Sequence, residues 1–330
     1  MVGDSTIQYL NFHLKEYRGI TQLIRATKQR LQSLPGEDRP EEFDALLKGR
    51  QAVGEREIGL EMIKARCVRE IEHELSAWDI WGHWAKKIPG IGPWIAGELI
   101  ILFKYRFIAT CKACGGDLEK KEKTLVCVLC GKKAKKDGAL IYRIEEKDFP
   151  TISKWWAYMG RHTVDGVMPK LRESVKSSWS TNGRTVGWHI GEEFNRQSGD
   201  NPYKLLLLLR KEKHAKNHPE WSIGHIHSAA KNEVAKIFLA HWWTVARTLD
   251  GKSVSEPYAG ALMGHTGIIN PYYWEEESET LIETHHQFAS ENLIETHDQD
   301  ASEKGYEIQT RTASDNAVIS GRRFGAPLDE

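Results

Sequence analysis

Two Cys-x-x-Cys motifs in the segment "CKACGGDLEKKEKTLVCVLC" constrain the fold more than any other feature. Each motif has two residues between its cysteines, and twelve residues separate the two motifs. Two such knuckles can bring four thiolates together tetrahedrally on one Zn²⁺. A glycine, Gly115 or Gly131, follows each second cysteine, where a tight turn favours that residue. We therefore predict a structural zinc ribbon over 108–147. Its predicted ligands are Cys111, Cys114, Cys127 and Cys130.

Disulfides are the competing interpretation of these cysteines. The N-terminus lacks a basic region followed by an apolar one, so no secretory signal is predicted, and disulfides are rare inside cells. The predicted location is cytoplasmic, in a prokaryotic or viral setting and associated with the nucleoid. No apolar run approaches a membrane span. Four protein ligands leave no open position, which favours a structural over a catalytic zinc. Whether the ribbon contacts nucleic acid or only holds a small domain together stays open.

The N-terminal third predicts long amphipathic helices. Apolar residues recur at three- and four-residue steps over 5–34 and over 40–87, with Pro40 placed to begin the second helix. Two such helices predict a helical or coiled-coil arm over 1–84, and with it a homodimer. Strands do not alternate with helices here, so no α/β nuclease domain is predicted at this end.

The segment "KKIPGIGPWIAGELI" predicts a helix-hairpin-helix over 85–107. Gly90 and Gly92 permit backbone conformations that leave their N–H groups facing outward, and Pro93 suits the first turn of the next helix. Amides at such a turn can bind a phosphate oxygen. The alternative is a plain turn between two helices. The predicted phosphate-binding residues are Lys86, Lys87, Gly90, Ile91 and Gly92.

The remaining chain predicts a helical domain over 148–274 and a disordered tail over 275–330. The fold class is thus mainly α, with one small β ribbon inserted. Predicted helices lie near 151–160, 184–198, 202–216 and 225–249. Basic residues in this domain are candidate nucleic-acid contacts. They are Lys170, Arg172, Lys176, Arg184, Arg210, Lys211 and Lys213.

Charge divides the chain. The last 56 residues hold 14 Asp/Glu and 4 Lys/Arg, whereas the preceding 274 hold 42 Lys/Arg and 32 Asp/Glu. A basic body suits a polyanion partner, although an ordinary solvated surface is the alternative. The tail repeats itself, since "LIETHHQFASEN" is followed directly by "LIETHDQDASEK". A polar repeat of this kind cannot form a core.

The hairpin is followed by "KWWAYMG", a basic segment, an "NG" helix start and a final long helix. In this order the chain resembles the C-terminal half of the insertion-sequence-110/116/902 transposases, the DEDD-type, bridge-RNA-guided family. The resemblance covers about 40–250 and depends mostly on "IPGIGPWIAG" and "KWWAYMG". It implies a role in DNA transposition or recombination, with DNA or a structured RNA as partner.

Three departures limit what the resemblance implies. The family's RuvC-like acidic nuclease domain precedes the arm, whereas this sequence begins at the arm, which predicts that the domain is missing. Asp165 stands where the family has its recombinase serine, and a carboxylate cannot replace that nucleophile. The ribbon is inserted between hairpin and "KWWAYMG". Serines nearby are weak substitutes, and polar filler is the alternative. These serines are Ser174, Ser177, Ser178 and Ser180.

Three functional hypotheses follow. The first is a nucleic-acid-binding protein of transposition, chiefly for duplex DNA, without autonomous catalysis. The second is an active recombinase that uses a relocated serine or a partner's nuclease domain, and only this one requires Mg²⁺. The third is a structural or interaction protein. His225, His227, His241 and His265 suggest a second metal site, but core packing of the histidine rings is preferred.

Overall fold

The computed structural model describes residues 2–33, 41–52, 55–121, 124–134, 140–163, 168–170, 177–254 and 269–273. In these residues the protein is mainly helical, as predicted. The tail 275–330 and its repeat lie outside them. No helix in the described ranges combines the length and apolar character that crossing a membrane requires.

The helices and strands follow in chain order. The helices are α1 (Asp4–Gln32), α2 (Glu41–Lys48), α3 (Leu60–Leu75), α4 (Asp79–His83), α5 (Pro93–Lys104), α6 (Ile152–Tyr158), α7 (Thr181–Arg196), α8 (Pro202–Asn217) and α9 (Ile223–Leu249), with one 3-10 turn at Ala85–Lys87. The strands are β1 (Arg50–Ala52), β2 (Glu55–Glu57), β3 (Tyr105–Cys111), β4 (Leu118–Lys121), β5 (Thr124–Cys127), β6 (Lys133–Ala134) and β7 (Leu140–Glu146).

The predicted single helix over 40–87 is wrong. Gly49 takes a φ of +80° and its N–H bonds to the Ala45 carbonyl, which ends α2. Strands β1 and β2 then pair antiparallel, with Arg50 opposite Glu57. Gly59 precedes α3 in an extended conformation. The apolar steps stop at Leu47 and resume at Ile58, and the prediction extended one helix across that gap.

The remaining predicted helices are confirmed within a few residues. Helix α9 ends at Leu249, and Gly251 follows with a φ of +65°, the left-handed stop that its position predicts. Tryptophans of this region form the core, since Trp155, Trp242 and Trp243 are at most 1% exposed. Their burial favours packing over base stacking for these three rings.

Helix α5 joins two groups of packed helices. Helices α1 and α3 pack on each other and on α5. Helices α7, α8 and α9 pack together, and α7 also packs on α5. The apolar side of α1, with Ile7, Leu10 and Leu14, is therefore buried within the chain. A homodimer through the arm stays a prediction, and it would need a different face of α1.

A buried carboxylate connects these two groups. Glu98 lies in the apolar helix α5 and is 1% exposed. Its Oε1 lies 3.2 Å from Nε of Arg18 on α1, and its Oε2 accepts a hydrogen bond of 2.7 Å from Nδ2 of Asn182 on α7. Burial raises the pKa of Glu98, while Arg18 and Asn182 oppose that rise. One side chain on α5 thus contacts α1 through an ion pair and α7 through a hydrogen bond.

We expect Arg18→Met to destabilise the protein by about 2–3 kcal/mol at pH 7, because it leaves a buried carboxylate without its cation. The pKa of Glu98 would rise further, so the folded state would bind a proton that the unfolded state releases above about pH 4.5. Stability of the variant should therefore fall as pH rises above that value. Urea unfolding at pH 4.5 and 7 measures both effects.

The matched control is Arg66→Met on α3, whose partner Glu70 and own side chain are both largely exposed. Its cost should stay below about 0.5 kcal/mol. The double variant Arg18→Met with Glu98→Met should recover part of the loss. Equal stability of Arg18→Met and the parent protein at pH 7 would refute a stabilising contact between Arg18 and Glu98.

Candidate metal centre and nucleic-acid surface

Four cysteine sulfurs converge between β3 and β6. All four lie within 4.8 Å of one another. The Sγ atoms of Cys111 and Cys130 are 3.7 Å apart, and those of Cys114 and Cys127 are 3.4 Å apart. Sulfurs bound tetrahedrally to one zinc at ~2.3 Å would be ~3.8 Å apart. The predicted ligand set is therefore brought together in a geometry that can hold one metal ion.

The two knuckles repeat one local structure. Gly115 and Gly131 take φ angles of +71° and +66°. Their N–H groups donate to the carbonyls of Cys111 and Cys127, at 2.7 and 3.0 Å. These glycines therefore serve the turns for which the sequence predicted them. Strands β3 and β7 pair antiparallel beneath one knuckle, and β4, β5 and β6 form a second small sheet around the other.

The thiols influence one another's ionisation. The N–H of Cys130 lies 3.5 Å from Sγ of Cys127, and it is the main cause that lowers the pKa of Cys127 to about 6. At Cys114 the N–H of Gly116 favours the thiolate, but the neighbouring thiols outweigh it and raise the pKa to about 12. Four close thiolates repel one another. A bound divalent cation would favour the deprotonated form of all four.

The glycine turn lies between the 3-10 turn and α5. Gly90 has a φ of +95°, a conformation that side-chain-bearing residues rarely adopt. Gly92 is exposed and extended, with φ −79° and ψ 173°, and precedes Pro93 as the N-cap of α5. A Cβ at Gly92 would meet no atom within 4 Å. Gly92 therefore places no side chain beside the unpaired N–H groups in the first turn of α5.

The apolar residues in and after this turn are buried. Ile91, which the sequence predicted as a phosphate-binding residue, is 4% exposed and its N–H donates to the Ile88 carbonyl at 3.1 Å, so neither its side chain nor its amide faces the surface. Four neighbouring residues are buried with it. They are Ile88, Ala96, Leu99 and Ile100.

The predicted cationic residues occupy different settings. Lys86 and Lys87 are exposed beside the turn, and Lys86 Nζ lies 3.0 Å from Glu72 Oε1. Arg210 Nε lies 3.2 Å from Glu233 Oε2, so α8 pairs part of its charge with α9. Burial lowers the pKa of Lys211, and Lys204 and Lys231 nearby lower it further. Lys170 and Lys213 are exposed, whereas Arg172 and Lys176 lie outside the described residues.

The candidate serines differ in how their hydroxyls are used. Ser180 is the N-cap of α7 and accepts a 3.0 Å bond from the Gly183 N–H. Ser177 Oγ donates to the Trp179 carbonyl at 3.0 Å, and Ser178 is exposed. Ser174 and Asp165 lie outside the described residues.

Ser180 also belongs to a polar chain that the sequence pattern did not predict. The Ser180 side chain lies close enough to the Tyr158 hydroxyl to favour its ionised form. Lys147 Nζ donates to that hydroxyl at 3.2 Å and to the Leu102 carbonyl. Burial is the main cause that lowers the pKa of Lys147 to about 7. Burial also raises the pKa of Tyr158, against the effect of Ser180. Lys147 directly follows β7, and Tyr158 is the last residue of α6, a helix that the sequence predicted, but the approach of these groups depends on the tertiary fold.

The histidines do not gather around a metal in the described part of the chain. His241 is buried, and its Nδ1 lies 2.8 Å from the Tyr203 hydroxyl, while burial lowers its pKa to about 4. His225 stacks on Trp221 with ring centres 4.0 Å apart. His265 lies outside the described residues. Within those residues, the groups that converge as potential metal ligands are the four cysteines.

No family model, curated protein or solved structure matches this chain. The function is therefore inferred from the geometry of the cysteine cluster and of the glycine turn.

Metal content tests the cysteine cluster directly. We expect the purified protein to hold one metal ion per chain, and Cys127→Ser to lose it, because one of four thiolates is removed. The small sheet β4–β6 should then lose its protection from hydrogen exchange, while α9 keeps its own. Mass spectrometry under native conditions and elemental analysis measure these outcomes.

The matched control is Cys67→Ser, which changes the buried cysteine of α3 outside the cluster. It should keep the full metal content. A parent protein free of metal after preparation with added zinc, or a Cys127→Ser protein that retains the ion, would contradict the predicted centre.

Proposed function

We propose that this chain binds nucleic acid, chiefly duplex DNA, and acts in transposition or recombination as a relative of the insertion-sequence-110/116/902 transposases. The observation that carries the proposal is the open N-cap position of α5 at Gly92, next to exposed Lys86 and Lys87. Backbone amides at a helix N-terminus favour a phosphate oxygen, and a missing side chain lets the phosphate approach. The resemblance of "IPGIGPWIAG" and "KWWAYMG" to that family supports the same conclusion.

Charge supports a polyanion as the partner. The first 274 residues carry an excess of ten Lys/Arg, from 42 basic and 32 acidic residues. Polyanion binding of this kind releases counterions and weakens steeply with salt. Exposed Lys170 and Lys213 extend the basic surface to the helical domain.

We assign zinc to the cysteine cluster. Four thiolates at Cys-x-x-Cys spacing prefer a soft divalent ion in tetrahedral coordination, and zinc is the usual occupant. With all four positions taken by protein, the ion would hold the ribbon together and leave no place for a substrate. The exposed lysines Lys112, Lys132 and Lys133 beside the knuckles suit a backbone phosphate.

The hairpin is tested by Gly92→Val. The new side chain meets open space and an ordinary φ, so the fold should persist, while the phosphate would be kept away from the α5 amides. We expect duplex affinity to fall several-fold, and the slope of log K against log salt to decrease by about 0.9 for each phosphate that the variant no longer neutralises. Fluorescence anisotropy of a labelled duplex, measured over a series of salt concentrations, gives both values.

The matched control is Gly3→Val. Gly3 is also an extended N-cap glycine, at α1 instead of α5, and its Cβ would make only an ordinary 3.9 Å contact with the Ser5 hydroxyl. Both variants should lose similar helix-capping stability, up to about 1 kcal/mol. Reduced affinity in both, or in neither, would refute the hairpin contact. A protein with no salt-sensitive binding to duplex DNA or structured RNA would instead favour the structural or interaction role.

Strand transfer is a second candidate because of the Lys147–Tyr158–Ser180 chain. A neutral Lys147 can take a proton from the Tyr158 hydroxyl while that hydroxyl takes the proton of Ser180. The freed Ser180 oxygen would bond to a DNA phosphorus as the bond to one strand end breaks. That end leaves as a hydroxyl after taking a proton from water. The Lys147 pKa of about 7 leaves a large neutral fraction at neutral pH.

A covalent complex with labelled DNA tests this alternative, with Mg²⁺ and a denaturing gel. Ser180→Asn is the variant of choice, because asparagine keeps the α7 cap while it removes the nucleophile. An adduct that forms with the parent protein and not with Ser180→Asn would support strand transfer. Binding without any adduct would support the non-catalytic role, and an adduct that persists in Ser180→Asn would exclude Ser180.

A further inference from the structure

Helix α7 presents an aromatic cleft at its exposed side. The cleft has a volume of about 310 Å³, near the lower end for small-molecule sites. Four of its lining residues lie on α7 at three- and four-residue steps, so they share one face of the helix. The lining residues are Trp179, Thr181, Arg184, Thr185 and Trp188.

The two tryptophans of the cleft differ from the core tryptophans. Trp188 is 51% exposed, which leaves an indole face in contact with water. Trp179 is half-buried, and its Nε1 is buried without a hydrogen-bond partner in the described structure. Elsewhere, half-buried Trp221 is covered by stacking with His218 and His225. The exposed indole face of Trp188 therefore offers apolar area that a bound ring can remove from water.

One cation lines the cleft and a second lies beside it. The Arg184 guanidinium lies 5.4 Å from the centre of the Trp179 ring. Lys231 Nζ lies 5.6 Å from the centre of the Trp188 ring and is also paired with Glu192. No Asp or Glu is among the lining residues. The positive charge of Arg184 disfavours a cationic ligand, and aromatic rings beside an arginine suit a ligand that is aromatic and anionic at once. A nucleotide within a nucleic-acid strand has both properties.

Aromatic contacts connect the cleft with the hairpin helix. The Trp188 and His189 rings have centres 4.9 Å apart, and His189 meets Trp94 of α5 at the same distance. Trp94 is the second residue of α5, next to Gly92 and Pro93. The rings of Trp188, His189 and Trp94 therefore form a continuous series from the cleft to the start of α5. One strand can contact both the cleft and the proposed phosphate site through nearby nucleotides.

We propose that the cleft between Trp179 and Trp188 takes one unpaired nucleobase of a strand whose backbone lies on the hairpin. The inference rests on the proposed nucleic-acid binding and adds that the protein prefers a strand with an unstacked base. The base would stack on the exposed Trp188 ring, and Arg184 would lie near its phosphate. Stacking is insensitive to base identity, so the site would recognise the absence of pairing and not a sequence.

The test uses a DNA duplex that carries one bulged 2-aminopurine, and the same duplex with that base paired to thymine. We expect the bulged duplex to bind several-fold more tightly, and the fluorescence of its 2-aminopurine to fall on binding as the ring stacks on tryptophan. Trp188→Ala should weaken the bulged duplex by about fivefold or more, with little change for the paired one. Trp188→Phe should keep most of the preference, because it retains an aromatic face.

Trp221→Ala is the matched control, since it removes a half-buried tryptophan that does not line the cleft. It should leave both affinities and the fluorescence change intact. A bulge preference that survives Trp188→Ala overturns the inference. So does equal, salt-sensitive binding of the two duplexes by the parent protein, although the proposed function would then stand. Absence of binding to either duplex would overturn both.

Discussion

The arrangement of the helices depends on the ion pair and the hydrogen bond that the buried Glu98 carboxylate makes. A charge in an apolar helix is tolerated only when its partners are fixed, and those partners are Arg18 on α1 and Asn182 on α7. The arm and the C-terminal helices are thereby held in one register on α5. The same helix begins at Pro93, directly after Gly92, so the position of the glycine turn relative to α7 follows from this contact.

Periodicity predicted most helices because their apolar faces were long and uninterrupted, as in α9. It failed over 40–87, where the helical steps resume at Ile58 after a gap in which two short strands form and the left-handed Gly49 ends α2. Strand pairing of three residues contributes little to a sequence pattern. Glycine at position 49, followed closely by a second glycine at 54, was the local signal that favoured a break.

The cysteine cluster was predictable because its four members are close in sequence and their spacing alone defines the knuckles. The aromatic cleft and the polar chain at Ser180 were not predictable, since the exposure of Trp188 and the burial of Trp179 and Lys147 depend on tertiary packing, which spacing does not encode. Glu98 differs from these residues because the sequence alone marks it as unusual. It is the one charged residue within "PWIAGELIILF". A lone carboxylate in such a run indicates a buried partner.

The pairing of β3 with β7 has a consequence for how the protein is built. Tyr105 lies opposite Glu146, and the Lys147 N–H donates to the Lys104 carbonyl at 2.7 Å, so the ribbon leaves and rejoins the helical body at one point. A segment with adjacent ends can be gained or exchanged during evolution without displacing α5 or α6. The cysteine module is therefore joined to the helical body through the paired ends of β3 and β7, where a change in the module's length need not alter the course of the chain.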